Sequence, residues 1–292
     1  MEKKKLTIAI PTSVISDIPH LREKTSKIGL IGRTAAIFRI DEIIVYQDDP
    51  KNKQAQNTKL LTTLLTYMET PQYLRKRLFK LDPRLQFAGI LPPLRTPHHP
   101  LNRKAKNLKV GEYREAVTLS RIKEGTLVDI GVEHPALLRE KQWALNKRLT
   151  LQIISTGERV EVQTASRDEI PSYWGYTVTA EKSFVKLIEN GKFDLTIATS
   201  KIGDKFMDVA EKISGKWKKA NSTLMALGAP TRGLHEIVRD EGANLKDLVD
   251  FVVNTVPEQG TETVRTEEAL LATLAIFNVS LASERQLFGI KK

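Results

Sequence analysis

The sequence contains no cysteine, which excludes disulfide bonds, thiolate metal clusters and a cysteine nucleophile. It has no apolar run near the ~20 residues that a membrane-spanning helix needs. The basic start at residues 1–5 is followed by an apolar run at residues 6–10, which is too short for a signal peptide. From these absences we expect a cytoplasmic protein that contacts neither membrane nor metal.

Several catalytic fingerprints are also missing. No P-loop is present, and no G-x-G-x-x-G follows a predicted strand, so an ATP or nicotinamide site lacks its usual sequence pattern. An ordinary α/β hydrolase is excluded because the chain has no G-x-S-x-G elbow.

Positive charge is concentrated in one segment. The net charge is +11, and residues 71–150 hold 17 Lys and Arg against 7 Asp and Glu. The rest of the chain is nearly balanced, with 29 against 28. A localised basic surface is typical of a protein that binds a polyanion, because phosphate contacts release condensed counterions. The alternative, a solvated thermophile surface, would spread its charge more evenly.

The two ends of the chain alternate strands with helices. Strands are predicted at residues 6–10, 42–46, 195–198, 223–227 and 251–253, and helices at 21–38, 54–69, 182–190, 207–213 and 267–281, with a short helix starting at Pro71. This alternation predicts a parallel sheet with helical crossovers. The last helix is apolar on most faces, so we expect it to be buried between the sheet and a second subunit.

The middle of the chain follows a different pattern. Four prolines within residues 92–100 exclude regular structure there. Short β-like pieces follow at residues 116–119, 127–130, 149–154, 160–164 and 175–178. We therefore predict an α/β domain made of residues 1–92 and 180–292, with a small OB-like β-barrel inserted at residues 93–179.

Three strand-end segments are candidate ligand loops: residues 199–203, 227–234 and 254–265. All three are expected at the carboxyl edge of the parallel sheet, where open α/β sheets bind their ligands. Taken singly, each is more often an ordinary turn than a ligand site, since turns also need glycine.

Longer strings resemble a known family. The segment from Lys27 to Ala35, with the strand at 41–45 after it, resembles the first motif of SpoU-type RNA methyltransferases, and residues 227–234 and 254–278 are similar to their second and third motifs. A branch of the SPOUT class found in archaea and eukaryotes, RNA methyltransferases with an OB-like insertion, is the closer match. Its marks here are Pro71–Lys76, Gln86–Gly89, Thr96–His99, Tyr173–Val178, Asp194–Ile197 and Arg265–Ala269.

The resemblance implies a SPOUT fold with a C-terminal trefoil knot, S-adenosylmethionine bound in that knot, and an obligate homodimer. Carried over residue by residue, it implies cofactor contacts from Thr199, Ser200, Leu227, Gly228, Gly233, Asn254, Val256, Pro257, Gly260, Thr261 and Thr266. It also implies a catalytic role for Arg33, to which we add Arg265. An arginine is a poor base because its pKa exceeds ~12, so clamping a phosphate or stabilising a deprotonated nucleophile is easier for it.

Departures from the SpoU pattern favour a base as the methylated group. The first-motif Asn is Lys27 here, the acidic residue of the second motif has no clear counterpart, and the Ser-Leu-Asn of the third motif is replaced by residues 263–266. These changes remove parts of the ribose 2′-O-methylation machinery. We predict methylation of uridine N3 in ribosomal RNA, with transfer RNA as the second candidate substrate.

Cationic residues of the middle segment are the predicted RNA contacts: Arg75, Lys76, Arg95, His98, His99, Arg103, Lys104, Lys106 and Arg114. His98 and His99 have no further metal ligands at suitable spacing, which favours RNA contact or loop structure over metal. Tyr173, Trp174 and Tyr176 are candidates for stacking on bases. The alternative is that Trp174 and Tyr176, which share one face of a strand, fill the barrel core. Glu267 and Glu268 most simply start the last helix, and a catalytic role is the alternative.

Two other functions remain open. A non-catalytic RNA-binding or ribosome-assembly protein would retain the same fold and the same basic segment. A ribose 2′-O-methyltransferase would retain the cofactor loops. Cofactor binding separates the first alternative from the enzyme, and the methylated product separates the second.

Overall fold

The structure is a computed structural model that describes residues 4–49, 51–139, 142–229 and 231–281. The chain divides into two compact units. The sheet unit comprises Met1–Thr66, Arg84–Pro93 and Tyr176–Lys292, and the barrel unit comprises Tyr67–Pro83 and Leu94–Gly175. The barrel unit is thus not one continuous insert, since residues 67–83 belong to it and residues 84–93 return to the sheet unit.

Six parallel strands form the sheet, in the spatial order β11-β9-β10-β1-β2-β8. Their bounds are β1 (Lys5–Pro11), β2 (Glu42–Tyr46), β8 (Thr177–Glu181), β9 (Leu195–Lys205), β10 (Ser222–Ala226) and β11 (Phe251–Asn254). β1 is central, paired with β10 on one side and β2 on the other. Its apolar residues are buried, as expected for a parallel strand covered on both faces. The predicted parallel sheet is confirmed.

Helices connect these strands. They are α1 (Leu21–Ile37), α2 (Ala55–Glu69), α4 (Phe184–Asn190), α5 (Phe206–Lys219), α6 (Leu234–Asp240), α7 (Leu245–Leu248) and α8 (Thr266–Ser280). In α5 the buried residues Phe206, Val209, Ile213 and Trp217 recur at helical spacing, so one face packs inward. α1 and α8 pack against each other. None of the described helices is long and apolar enough to cross a membrane.

β9 differs from the prediction of a strand that ends at Ala198. The strand is assigned through Lys205, but its pairing with β11 is interrupted: Val252 pairs with Ala198, and the next residue, Val253, pairs with Asp204. Residues 199–203 therefore leave the ladder as a wide bulge and return to it. The predicted loop is therefore a bulge within β9 instead of a segment that follows the strand.

The barrel unit holds a closed five-stranded barrel in the order β3-β4-β5-β7-β6. Its strands are β3 (Tyr113–Ile122), β4 (Gly125–Asp129), β5 (Ala136–Leu138), β6 (Arg148–Thr156) and β7 (Val160–Thr164). The unit also contains the helix α3 (Gln72–Leu78). Alternate strand residues such as Ala116, Val128, Leu151 and Val162 fill the barrel core.

Two strand predictions for this region were wrong. β5 was missed because its three residues are too few to show alternation. The piece predicted at 175–178 is not a barrel strand: Thr177–Glu181 is β8, which pairs in parallel with β2 at the edge of the sheet.

A buried ion network connects distant segments of the barrel unit. Arg148 bridges two buried carboxylates, with 2.6 Å to Glu69 Oε2 and 2.5 Å to Glu115 Oε2. Arg167 lies 3.2 Å from Glu69 Oε1. Burial opposes ionisation of Glu115, but Arg148 and Arg167 outweigh it, so its pKa lies below the usual value. Two positive and two negative charges thus balance inside the unit.

Trp174 belongs to this network. Its Nε1–H donates to Glu115 Oε1 over 2.7 Å, and the side chain is buried. Tyr176, also buried, lies in the sheet unit, where its hydroxyl donates to the Leu65 carbonyl over 3.3 Å. Neither ring is free to stack on a base and neither lies in the barrel core, so both predictions for these rings are wrong.

Candidate active site

The three predicted loops meet at the carboxyl edge of β9, β10 and β11. The Thr199 hydroxyl donates to the Ala226 carbonyl at the end of β10, over 3.2 Å. The Asn254 side-chain amide donates to the Lys201 carbonyl over 2.9 Å. In return, the Lys201 ammonium donates to the Glu262 carbonyl over 3.1 Å. Side chains from the first and third loops therefore bond to the backbone of a neighbouring segment, which connects these loops at the edge of the sheet.

Gly228 is the tightest point of the second loop. A Cβ atom built there would lie 2.9 Å from the Leu234 backbone nitrogen and 3.2 Å from the Gly233 Cα. Because these neighbours are backbone atoms, they cannot move aside as a flexible side chain could. The Gly228 carbonyl accepts a hydrogen bond from the Thr266 hydroxyl over 3.0 Å, which connects this loop to the start of α8.

Leu227 is held from two sides. Its N–H donates to the Ala9 carbonyl over 3.0 Å, and its carbonyl accepts the Tyr46 hydroxyl over 2.6 Å. Tyr46 is fully buried, and burial raises the pKa of its phenol well above the ordinary value, so it is a permanent donor. Tyr46 is not among the site residues predicted from the sequence, although its position at the carboxyl end of a buried strand could have indicated that it lies near the site.

The third loop is mostly exposed. The Asn254 side-chain oxygen accepts the Val256 N–H over 2.9 Å, so both ends of this amide hold the backbone. The Thr261 hydroxyl donates to the Thr263 carbonyl over 3.0 Å. Pro257, Gly260 and Thr261 are exposed. In the first loop, the Ser200 hydroxyl accepts the Ile202 N–H over 3.3 Å. The side chains of these residues shape the backbone, and the backbone is left to contact a ligand.

A glycine of the second loop leaves backbone groups accessible to a ligand. Gly233 leaves the backbone uncovered where the second loop turns into α6, since a Cβ atom built there meets nothing within 4 Å. Backbone N–H and C=O groups can then reach the polar edge of a base. Among the residues that the structure describes, no three His, Cys, Asp or Glu side chains are placed to hold a metal ion.

The two predicted catalytic arginines lie on the helices that pack together. Arg33 is on α1, and its Nη1 donates to the Pro93 carbonyl over 2.8 Å. Arg265 directly precedes α8, where its N–H donates to Glu268 Oε2 over 2.9 Å, and its side chain is exposed. That Glu268 bond confirms the helix-start role expected for this acidic pair.

Exposure divides the predicted RNA contacts. The exposed ones are Lys76, Arg95, Arg103, Lys104 and Lys106. Arg75 is half-buried, and its guanidinium donates to the Thr70 and Met68 carbonyls at the end of α2.

His98 and Arg114 are corrections, because both are buried inside the barrel unit. Arg114 donates to the Glu112 carboxylate over 2.7 Å and to the Asn102 carbonyl over 3.1 Å. His98 and His99 both donate from Nε2 to the Glu69 carbonyl, over 2.9 and 2.7 Å. Burial lowers the pKa of each imidazole to about 4, so both are neutral at pH 7. Both histidines therefore hold the proline-rich loop at residues 92–100, which agrees with the loop-structure interpretation of the sequence.

Comparisons with known proteins agree with this picture. The sequence model of a family described as "Putative RNA methyltransferase" matches residues 5–277 of the chain. An uncharacterised protein of Halobacterium salinarum is 32% identical over 92% of this chain and 96% of its own length. The 28S rRNA (uridine-N(3))-methyltransferases of Homo sapiens and Mus musculus are 31% and 32% identical, over 94% of this chain and 78% and 76% of their own lengths.

Proposed function

Since the chain belongs to the family described as putative RNA methyltransferases, we propose that it methylates N3 of a uridine in ribosomal RNA, with S-adenosylmethionine as the donor. The observation that carries the proposal is the connected site at the carboxyl edge of the sheet. The names of the human and mouse relatives support the choice of uridine N3 and of ribosomal RNA.

We assign the cofactor to the three loops, with Thr199, Ser200, Leu227, Gly228, Gly233, Asn254, Val256, Pro257, Gly260, Thr261 and Thr266 around it. S-adenosylmethionine supplies an electrophilic methyl group on a sulfonium. Gly228 permits the tight turn of the second loop, because any larger residue would strike the backbone of Leu234. The hydrogen bond from Thr266 to Gly228 fits a chain that returns across the second loop, as the trefoil knot of a SPOUT fold requires. We therefore propose that fold and knot for the sheet unit.

The proposed methyl transfer needs neither a metal nor a covalent enzyme intermediate. Uridine loses its N3 proton to solvent, the N3 electron pair forms the bond to the methyl carbon, and the sulfur–methyl bond breaks to leave a neutral thioether. Loss of the N3 proton leaves a negative charge on the uracil, which the protein has to stabilise. Arg33 and Arg265 are permanently cationic, so their role is to stabilise that anion or to orient a phosphate beside it. Positioning by the loops supplies the remaining rate enhancement.

The barrel unit is the proposed RNA-binding part. Arg103, Lys104 and Lys106 are consecutive or nearly so and all exposed, which suits contacts to phosphates. Such contacts position an RNA without reading its sequence. The modified nucleotide would then be selected at the carboxyl edge of the sheet.

We also propose a homodimer in the cytoplasm. Apolar side chains are exposed on both packed helices: Leu30 and Ile37 on α1, and Leu271 and Val279 on α8. A second copy that covers them would remove apolar area from water at about 25 cal/mol per Å².

The decisive experiment has two stages. Isothermal titration of the purified protein with S-adenosylmethionine and S-adenosylhomocysteine should show micromolar binding. Nucleoside analysis of ribosomal RNA incubated with protein and cofactor should then show 3-methyluridine, and Arg33→Ala should abolish the product while it leaves the binding intact. A product that is only 2′-O-methylated would contradict the uridine N3 assignment. No binding by a folded protein would favour the non-catalytic RNA-binding alternative.

A further inference from the structure

A buried lysine and a glutamate face each other across the two packed helices. Lys27 lies on α1 and only 6% of its side chain is exposed, while Glu267 lies in the first turn of α8 and is 11% exposed. Lys27 Nζ is 3.2 Å from Glu267 Oε2. A second carboxylate, Asp17, lies 3.9 Å from the same ammonium but is 42% exposed. Lysine is almost never buried unless it is paired, so Glu267 is the main partner of this charge.

Stability alone gives little reason for such a pair. Removing two charges from water costs free energy that their mutual attraction often fails to recover, and well-packed apolar side chains would stabilise the same place as well or better. The Glu267 oxygen also makes no directed hydrogen bond, so the contact is electrostatic. What a buried ion pair does supply is a defined geometry between the two elements that carry it.

The elements concerned are the ones that carry the proposed active site. Glu267 is flanked by Thr266, whose hydroxyl bonds to the Gly228 carbonyl, and Thr266 is preceded by Arg265. Lys27 shares α1 with Arg33. The ion pair therefore connects α1, which carries Arg33, to the start of α8, which follows Arg265 and lies next to the cofactor loops.

A second contact between the same two segments lies away from the proposed site. At the far end of the same helices, Arg39 Nη2 donates to Asn278 Oδ1 over 3.4 Å, in an exposed position. Glu267 and Asn278 are eleven positions apart in α8, or about 16 Å of helix. One contact thus fixes the start of α8 and the other its end, and only the first lies beside the site.

From this arrangement we infer that Lys27 and Glu267 act as a pair of positioning residues, which fix Arg265 and the Thr266–Gly228 contact relative to Arg33 for methyl transfer. The inference rests on the proposed function. It also accounts for the departure at the first motif, where SpoU-type enzymes have Asn and this chain has Lys27: a lysine there requires a carboxylate on α8.

The test is a double-mutant cycle of Lys27→Met, Glu267→Gln and the two together, measured at a temperature where circular dichroism shows every variant folded. Each single variant should bind S-adenosylhomocysteine about tenfold more weakly and lose about 100-fold in kcat, since a misplacement near 1 Å has effects of that size. The double variant should be no worse than either single one, because paired residues act as a unit. Additive losses, or losses in melting temperature without changes in kcat or affinity, would overturn the inference.

Asn278→Ala is the matched control, since it removes the contact at the other end of the same helix. It should leave affinity and kcat unchanged. Hydrogen exchange of the ligand-free protein adds a readout that does not depend on catalysis: Glu267→Gln should accelerate exchange at residues 254–270, and Asn278→Ala should not. Unaltered exchange in Glu267→Gln would contradict the positioning role. Failure of the wild-type protein to bind the cofactor would instead refute the proposed function, and with it any role of the pair in methyl transfer.

Discussion

Gly228 is the residue whose replacement tests the cofactor loops most directly. We predict that Gly228→Val abolishes binding of S-adenosylmethionine, because the new side chain would lie within 3.3 Å of three backbone atoms of residues 232–234 and force the loop apart. Isothermal titration measures the loss. Retained micromolar affinity would mean that the ligand does not use the second loop.

A glycine in open surroundings provides the control for Gly228→Val. Gly215 lies inside α5, and a Cβ there meets nothing within 4 Å. Gly215→Ala should leave cofactor affinity unchanged and stabilise the protein by about 0.5–1 kcal/mol, since alanine is the better helix former. Thermal unfolding of both variants separates an effect on the loop from an effect on the fold.

The burial of individual cationic residues could not be predicted from the sequence. Composition identified residues 71–150 as basic, and exposed positions such as Arg103 and Lys106 agree with that pattern. Arg114 and His98 belong to the same segment but point inward, because Glu112 and the Glu69 carbonyl accept their hydrogen bonds. Their partners lie on other elements or, for Glu112, directly before the strand that carries Arg114. Nothing in the spacing of charges distinguishes a buried cation from an exposed one.

Among the elements, the ion network of the barrel unit makes the sharpest stability prediction. Arg148→Met leaves Glu69 and Glu115 buried with Arg167 as their remaining cation. We expect a loss of about 3–5 kcal/mol in the free energy of unfolding, typical of a buried pair that loses one partner. Urea denaturation followed by tryptophan fluorescence measures it, since Trp174 bonds to Glu115.

Arg139→Met is the matched control for Arg148→Met. Arg139 also pairs with a carboxylate of the same unit, Glu161, but the Arg139 side chain is 55% exposed and that of Glu161 27%. Exposed pairs contribute little, because water and salt screen them. An equal loss in the two variants would mean that burial of the network is not what makes Arg148 important.

Acid should destabilise the barrel unit through His98. The pKa of His98 is about 4 in the folded protein, mainly because burial penalises the imidazolium, against 6.5 in an unfolded chain. Between pH 6.5 and pH 4 the unfolded chain therefore binds a proton that the folded chain does not, and the free energy of unfolding decreases as the pH falls. The loss for this group is about 3 kcal/mol across that window.

Stability curves at several pH values between 4 and 7 check this prediction. His98→Gln should flatten the dependence on pH, whatever it does to the absolute stability. His134→Gln, at an exposed histidine, should leave the slope as it is in the wild-type protein. A wild-type slope that survives in His98→Gln would assign the acid sensitivity to other groups, such as His99, whose pKa burial also lowers to about 4.

Elements whose apolar residues recur at a regular strand or helix spacing could be predicted from the sequence. Elements whose place depends on the strand they pair with could not. The buried strands β1, β2, β10 and β11 follow apolar runs, and α1 and α2 follow helical spacing, so their positions agree with the prediction within a few residues. β8 was assigned to the wrong sheet because alternation shows that a segment is extended without showing its neighbour. The bulge of β9 was indicated only by its glycine and small polar residues.

At the scale of the whole molecule, we predict that exposed basic residues of the barrel unit cause most of the salt dependence of RNA affinity. Replacing Arg103, Lys104 and Lys106 by Gln should weaken binding of any structured RNA. It should also lower the slope of log K against log salt by about 0.7–0.9 for each phosphate that the protein no longer neutralises. Filter binding or fluorescence anisotropy over a range of about 50 to 300 mM salt measures the slope. Cofactor affinity should not change.

The control carries the same change in charge elsewhere. Lys212, Lys218 and Lys219 are exposed on α5 in the sheet unit. Replacing these three by Gln lowers the net charge equally, so it should reduce the slope much less if contact with the barrel unit is the cause. Equal effects would mean that RNA responds to net charge alone.

The arrangement of the six strands also dictates the order in which the protein can be completed during synthesis. The last barrel strand ends at Thr164, whereas β1 must wait for β10, which starts at Ser222, before both its edges are paired. The pairing of distant segments is slow, and an unpaired strand edge invites association with other chains. A chain released before Phe251 would contain every strand of the barrel and a sheet that still lacks β11, so a prematurely terminated product would compete for RNA through its basic surface while lacking the edge proposed for methyl transfer.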